Sequence, residues 1–254
     1  MDQNYCLNCA EQISKNFCSN CGQKTDTHRI KIKHFLFHDL LHGVWHLEKG
    51  ILFTIKEAFV RPGQAALDYI GGKRIRYYNV FYLCLLVIGL NILLSHTFHE
   101  IHPETVIEAS SKDFDLTGFL SKYIKIVMLS TVPILAINAK LIFRKLKLNI
   151  AEHFIVSGLS LLGMLILSLL FVTMNFVNTF EIPKFIGVFE MISFFMILLF
   201  PAWSYYDATK NTYRFFGFLW RIILFYTLFI FELVTVLSVV ISVIAGSKSI
   251  YVNL

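Results

Sequence analysis

Four of the five cysteines fall within 16 residues, as Cys6-Leu7-Asn8-Cys9 and Cys18-Ser19-Asn20-Cys21. A Cys-x-x-Cys turn aims two thiolates at one point, and two such turns supply four sulfurs for a tetrahedral zinc ion at about 2.3 Å per bond. A stretch this short cannot bury a core, so the metal would supply the folding energy. Tyr5 and Phe17 are expected to form a small apolar pad, and Gly22 to let the backbone turn toward the sulfurs. Two disulfides, or free thiols, are the alternatives, and disulfides need an oxidising compartment. Four thiolate ligands leave no open coordination position, so the expected role of zinc is structural. Cys84 lies in an apolar run and reads as a small core residue.

A second set of metal-capable side chains follows. His34, His38, His42 and His46 recur every four residues, with Asp39 among them. On a helix this spacing puts all four on one face, opposite Leu36, Phe37, Leu40, Leu41, Val44 and Leu47. One reading is the solvated face of an in-plane amphipathic helix. The other is a second metal or proton site, because histidines at i and i+4 can chelate one ion. No His-Glu-x-x-His pattern is present, and no complete catalytic constellation is found.

The remaining chemistry-bearing residues are single. Glu232 sits in the middle of an apolar run, where a carboxylate costs about 2.5–3.5 kcal/mol to insert. It is expected to be protonated or to face other helices, either as a proton or cation site or in one interhelical hydrogen bond. Asn91 and Asn138 are candidate interhelical contacts. Lys73, Arg74 and Arg76 form a basic cluster expected to meet lipid headgroups.

The elements that must position these residues are mostly apolar. Of 254 residues, 56% are hydrophobic, 25 are Phe and only 16% are charged, which excludes an ordinary soluble domain. Near-continuous apolar runs cover 78–98, 124–143, 154–177, 186–206 and 222–244. Each is long enough for a helix to cross about 30 Å of hydrocarbon. The expected fold is therefore an all-α integral membrane protein of about five transmembrane helices. A small four-cysteine zinc ribbon (1–24) and amphipathic or interfacial helices (25–77) precede the bundle (78–246), and a short tail (247–254) follows it. Within 25–77, Glu48–Val60 places Ile51, Leu52, Ile55 and Phe59 on one side and Lys49, Lys56 and Glu57 on the other. Pro62 should end that helix, and Gly71-Gly72 should break the chain again.

Charge orients the expected bundle. Segments 1–77, 140–153 and 207–221 hold 11, 4 and 3 of the 23 Lys and Arg residues, whereas 98–125 holds 3 against 5 acidic residues. By the positive-inside rule the N-terminus is cytosolic and, after five crossings, the C-terminus is extracytoplasmic. Met1–Leu7 has no signal-peptide character. The expected location is the cytoplasmic (inner) membrane.

The motifs CLNC…FCSNCGQ (Cys6–Gln23), HDLLHGVWHLEKGIL (His38–Leu52), KEAFVRPGQ (Lys56–Gln64) and GGKRIRYYNVFYL (Gly71–Leu83) occur in that order. In this combination residues 6–83 resemble a bacterial membrane-protein family, the domain of unknown function 3667 family. The resemblance implies a ribbon plus a helical membrane domain and no known activity. A looser fold-level likeness runs to Yip-type five-helix membrane proteins, through the proline-glycine turn ahead of the first span and the helix count.

The leading functional expectation is a non-enzymatic polytopic membrane protein whose zinc ribbon docks or assembles a protein partner beside the lipid surface. Nucleic acid is not expected, since residues 1–24 hold two lysines and two acids. A transporter or permease-like protein using Glu232 is one alternative. A metal-dependent membrane enzyme using His34, His38, His42 and His46 is the other.

Overall fold

The computed structural model describes residues 5–25, 30, 50–101, 130–178 and 183–252. Among them every regular element is helical, apart from two isolated β-bridges near the N-terminus. Helix α1 is Ile51–Val60 and α2 is Pro62–Ile70. Pro62 occupies the first turn of α2, where a missing N–H costs nothing, so it ends one helix and begins the next. Gly71 caps α2, and Gly72 turns the chain at φ 104°. Next come α3, Val80–Ile101, and α4, Ser130–Ile142. A 3₁₀ turn at Arg144–Leu146 leads to α5, Ile150–Asn178. Asn149 and Glu152 start α5 as a reciprocal cap, each side-chain oxygen accepting the other's backbone N–H at 2.7 and 3.0 Å. The last two helices are α6, Pro183–Thr209, and α7, Phe215–Val252.

Among the described residues, four helices are long and apolar enough to cross a membrane: Val80–Phe98, Ile150–Met174, Met191–Thr209 and Phe215–Thr235. The run expected to give a further span contributes the shorter apolar α4 among the described residues. Helix α7 begins at Phe215 rather than at 222, because its aromatic first turns carry the helix past the edge of the most apolar stretch.

Helix α5 is the hub. It is 67% buried along its most apolar stretch against 17% for α7, and it packs on α1, α2, α3 and α6. Small residues permit the close approaches. A Cβ at Gly163 would overlap the Phe200 ring, and one at Gly158 would crowd Phe81. The outward faces of the other spans expose Leu86, Leu93, Phe194, Leu199 and Phe231, the surface a lipid environment selects. Polar contacts inside the bundle are specific. Asn91 donates to the Val87 carbonyl at 2.9 Å and accepts from Ser168 at 3.3 Å, and Ser157 pairs with the Tyr205 hydroxyl at 3.1 Å.

Pro201 lies inside α6, where a proline opens the backbone ladder. The Tyr226 hydroxyl of α7 enters that opening. It accepts from the Ala202 N–H at 3.2 Å and donates to the Leu198 carbonyl at 2.8 Å.

One end of the bundle is closed by α2, which lies against α5 and α6. A Cβ at Gly63 would overlap the Ser204 carbonyl and the Ala208 backbone, so the two helices meet backbone to backbone. The buried Asp207 carboxylate accepts the Gln64 N–H at 2.7 Å, capping α2 from another helix, and the Gln64 amide donates to the Asp207 carbonyl at 2.6 Å. Helix α1 divides its expected apolar side: Ile51 and Ile55 pack against the core, but its most buried residues are others. Thr54, Glu57 and Ala58 are buried, whereas Leu52 is 82% exposed and Phe59 and Val60 are also outside. Glu57 can face inward because Arg61 pairs with it, and Thr54 because its hydroxyl accepts the Tyr78 N–H at 2.8 Å.

Candidate metal centre and its attachment to the helices

The two Cys-x-x-Cys segments fold by one hydrogen-bond pattern, repeated. In the first, Cys6 N–H donates to Glu11 and Ala10 N–H to the Cys6 carbonyl, at 2.8 and 2.9 Å. In the second, Cys18 N–H donates to Gln23 and Gly22 N–H to the Cys18 carbonyl, at the same distances. The bridges Tyr5 to Gln12 and Phe17 to Lys24 flank these turns at matching positions. The turn-closing residues are left-handed in both, Ala10 at φ 60° and Gly22 at φ 74°. Gly22 thus serves as expected, and Ala10 makes the same turn against the preference of a residue with a Cβ.

This repetition brings four sulfurs together. Cys6 and Cys21 Sγ lie 3.6 Å apart, Cys9 and Cys18 Sγ 3.5 Å, and all four within 4.8 Å of one another. A tetrahedron of 2.3 Å metal–sulfur bonds has edges of about 3.8 Å, so the cluster could hold a metal ion with little movement. Cys6 and Cys18 are buried, and Cys9 and Cys21 close the outer side. The Glu11 backbone favours the Cys9 thiolate, but desolvation and bonds to the other three thiols hold Cys9 up at about 12. At Cys21 burial acts upward and is outweighed by Asn8 and the Gln23 backbone, which bring it down to about 6. Crowded thiols that share hydrogen bonds titrate as a set rather than singly. Tyr5 and Phe17 do not form the expected pad. They are 62% and 59% exposed, at equivalent positions of the two turns.

The cysteine module is fastened to the loop between α2 and α3. The buried Gln23 amide donates to the Gly72 carbonyl and accepts the Ile75 N–H at 3.2 Å. Arg76 donates to the Asn8 side chain at 2.9 Å and to its carbonyl at 3.2 Å. Leu7 packs against Gly72, where a Cβ would collide with it. The residues making this joint lie between or just after the metal-capable cysteines, so the same turns shape the centre and its attachment.

The basic cluster therefore has protein partners as well as any lipid ones. Lys73 bonds Asp68 at 2.6 Å, Arg74 sits 5.8 Å from the Tyr69 ring centre, and Arg76 holds Asn8. Burial pushes the Asp68 carboxyl up, but Lys73, then Arg61 and Arg76, hold it below the usual carboxylate range. Desolvation, reinforced by Asp68 and Glu57, raises the Tyr77 hydroxyl to about 12. Glu232 accepts a hydrogen bond from the buried Asn138 amide of α4 at 2.7 Å. Cys84 is fully buried against Gly158. His34, His38, His42, His46 and Asp39 lie outside the described residues.

Several residues that carry structure at this end escape a reading by composition. Asp207 is a lone acid at the edge of an apolar run, and only the Pro-Gly-Gln motif facing it signals a helix start in need of a cap. Gln23 and Asn8 look like ordinary polar residues of a turn. His153 is buried with Nδ1 lacking a partner among the described residues, stacked 6.3 Å from Tyr205, and nothing in its sequence neighbourhood marks it.

The family model described as protein of unknown function (DUF3667) matches residues 48–89. That stretch takes in α1, α2, the attachment loop and the start of α3. No curated protein and no solved structure matches the chain, so the Yip-type likeness gains no support. The chain is similar, over the joint between its cysteine module and its first span, to a family of unknown function.

Proposed function

We propose that this is a non-enzymatic membrane protein in which a zinc-held ribbon serves as a docking module, carried rigidly at the cytosolic end of a five-span bundle. The observation that carries the reading is the two-sidedness of the ribbon. Leu7, Asn8 and Gln23 bind it to the bundle, while Tyr5 and Phe17 stand exposed. Exposed aromatics on a rigid platform are the side chains that protein interfaces favour. Zinc fits the donor set, because four thiolates at tetrahedral spacing suit that ion and reducing cytosol keeps them unpaired.

Connectivity supports the fifth crossing. Helix α3 starts at the ribbon end and, at about 1.5 Å per residue, ends about 33 Å away. The Arg144–Leu146 turn is back at the ribbon end, where Lys145 N–H meets the Tyr213 hydroxyl. In this reading α4, the described part of the chain between Ile101 and Arg144, belongs to the fifth crossing. The basic residues of 1–77, 140–153 and 207–221 then share one side, the cytosolic one.

The test is metal content per chain together with photocrosslinking from position 17 in cells. One zinc per chain, lost in Cys18→Ser/Cys21→Ser and kept in His38→Ala/His42→Ala, with a discrete protein adduct lost in the cysteine variant, is the expected result. A second metal lost only in the histidine variant would replace this reading with a metalloenzyme. Metal-free native protein would remove its basis.

The Asn138–Glu232 hydrogen bond favours a second reading, a proton or cation path through the bundle. Proton flux into proteoliposomes that disappears in Glu232→Gln would support it, and equal flux in both would end it.

A further inference from the structure

A cleft of about 370 Å³ opens at the ribbon end, between the end of α6 and the start of α7. Its lining combines two cationic side chains, Lys210 and Arg214, with the aromatic rings of Tyr206, Tyr213, Phe215 and Phe218. Tyr213 is itself ringed by basic side chains. Arg221 lies 4.3 Å from its ring centre, and Lys145, from the loop before α5, lies 5.5 Å away. Three separate segments thus bring positive charge to one spot. Asp207, the acid one turn back, is committed to Lys210 at 2.9 Å and to the cap of α2. Arg214 is exposed and its guanidinium has no partner among the described residues. Lys210, Lys73 and Arg76, by contrast, are held by Asp207, Asp68 and Asn8.

The position of the cleft identifies its ligand. The apolar stretch of α7 begins at Phe215, and Phe216 and Trp220 are 80% and 52% exposed beside it. The cleft therefore lies at the end of an apolar stretch, where basic and aromatic side chains meet. We propose that it binds an anionic phospholipid, the phosphate taken by Arg214 beside the Asp207-paired Lys210 and the first acyl carbons laid against Phe215 and Phe218. Inorganic phosphate would satisfy the cations but would leave the aromatic wall unused. A basic pocket between helices at this level is a setting in which anionic headgroups bind, and guanidinium recognises phosphate with two parallel hydrogen bonds.

The full-length protein in a zwitterionic detergent is titrated with phosphatidylglycerol, phosphatidylcholine or inorganic phosphate, with lipid adducts counted by native mass spectrometry. A saturable phosphatidylglycerol adduct is expected, with phosphatidylcholine much weaker and inorganic phosphate failing to displace it. Arg214→Gln should weaken the adduct about five-fold, the change expected for one charge near a lipid surface. Phe215→Ala should weaken it too, while Lys15→Gln on the cysteine module leaves it unchanged. The thermal midpoint of lipid-free Arg214→Gln should equal that of the native chain, which separates lost binding from lost folding. Undiminished binding in Arg214→Gln, or equal binding of the two lipids, would overturn the proposal. Displacement by inorganic phosphate at equal concentration would also overturn it, in favour of a free-phosphate site.

Discussion

At the scale of single residues, the two cysteine turns offer an internal control. Ala10 and Gly22 occupy equivalent left-handed positions, and nothing lies within 4 Å of a Cβ built on Gly22. Only backbone strain then separates alanine from glycine. Ala10→Gly is expected to stabilise the metal-loaded module by about 0.5–1 kcal/mol, and Gly22→Ala to cost about 1 kcal/mol, in chelator-midpoint titrations. Changes of the same sign at both sites would contradict the equivalence. Asp68 gives a pH signature. Its folded-state pKa is depressed, so its contribution is present above the unfolded carboxylate value of about 3.9 and is lost as pH falls through the folded value. Asp68→Asn should therefore flatten the acid limb of the stability profile, measured by thermal midpoints below pH 5. The cysteine cluster was legible because its chemistry is local to two short, regular spacings. The Asn8–Arg76 and Gln23–Gly72 contacts were not, because a polar side chain in a turn gives no hint of a partner some 50 or more positions away.

At the scale of elements, the decisive contact is α2 lying on α6. Gly63→Ala would force a Cβ into the Ser204–Ala208 backbone, which no rotamer change relieves. A loss of about 3 kcal/mol, or failure of α2 to seat, is expected, and limited proteolysis at Arg61 against the native chain would show it. Asp207→Asn should cost less, about 1 kcal/mol, by weakening the cap on α2. Helix positions in the bundle follow from run length and composition, which is why four apolar runs correspond to four long helices. The inward face of α1 does not follow from them. Amphipathic reasoning separates an apolar from a polar face without saying whether lipid, water or another helix lies against each. Here a small and ion-paired stripe, Thr54, Glu57 and Ala58, seats against the hub helix, while Leu52 faces out. Periodicity and Pro62 located the helix and its C-terminal end but carried no information on which medium each face would meet.

At the scale of the whole molecule, the four-cysteine cluster and the first span share a joint only a few residues long. Removing the metal should loosen Cys18–Gln23 and with it the Gln23 amide that accepts the Ile75 N–H. Hydrogen exchange at Ile75 is expected to rise on chelation while amides in the middle of α5 stay protected. No change at Ile75 would mean that the joint stands without the metal. Intramembrane polar contacts should matter less: Glu232→Leu strands the buried Asn138 amide at a cost of about 1 kcal/mol, whereas Glu232→Gln keeps an acceptor. The Tyr226 hydroxyl seated between Ala202 and Leu198 carries a consequence for biosynthesis. When α6 leaves the ribosome its ladder is still open at Pro201, and the group that closes it is encoded on the following helix. Helices α6 and α7 should therefore enter the bilayer as a pair. A nascent chain stopped after Trp220 should hold α6 in the membrane less firmly than one stopped after Thr235, and Tyr226→Phe in the longer chain should reproduce part of that weakness.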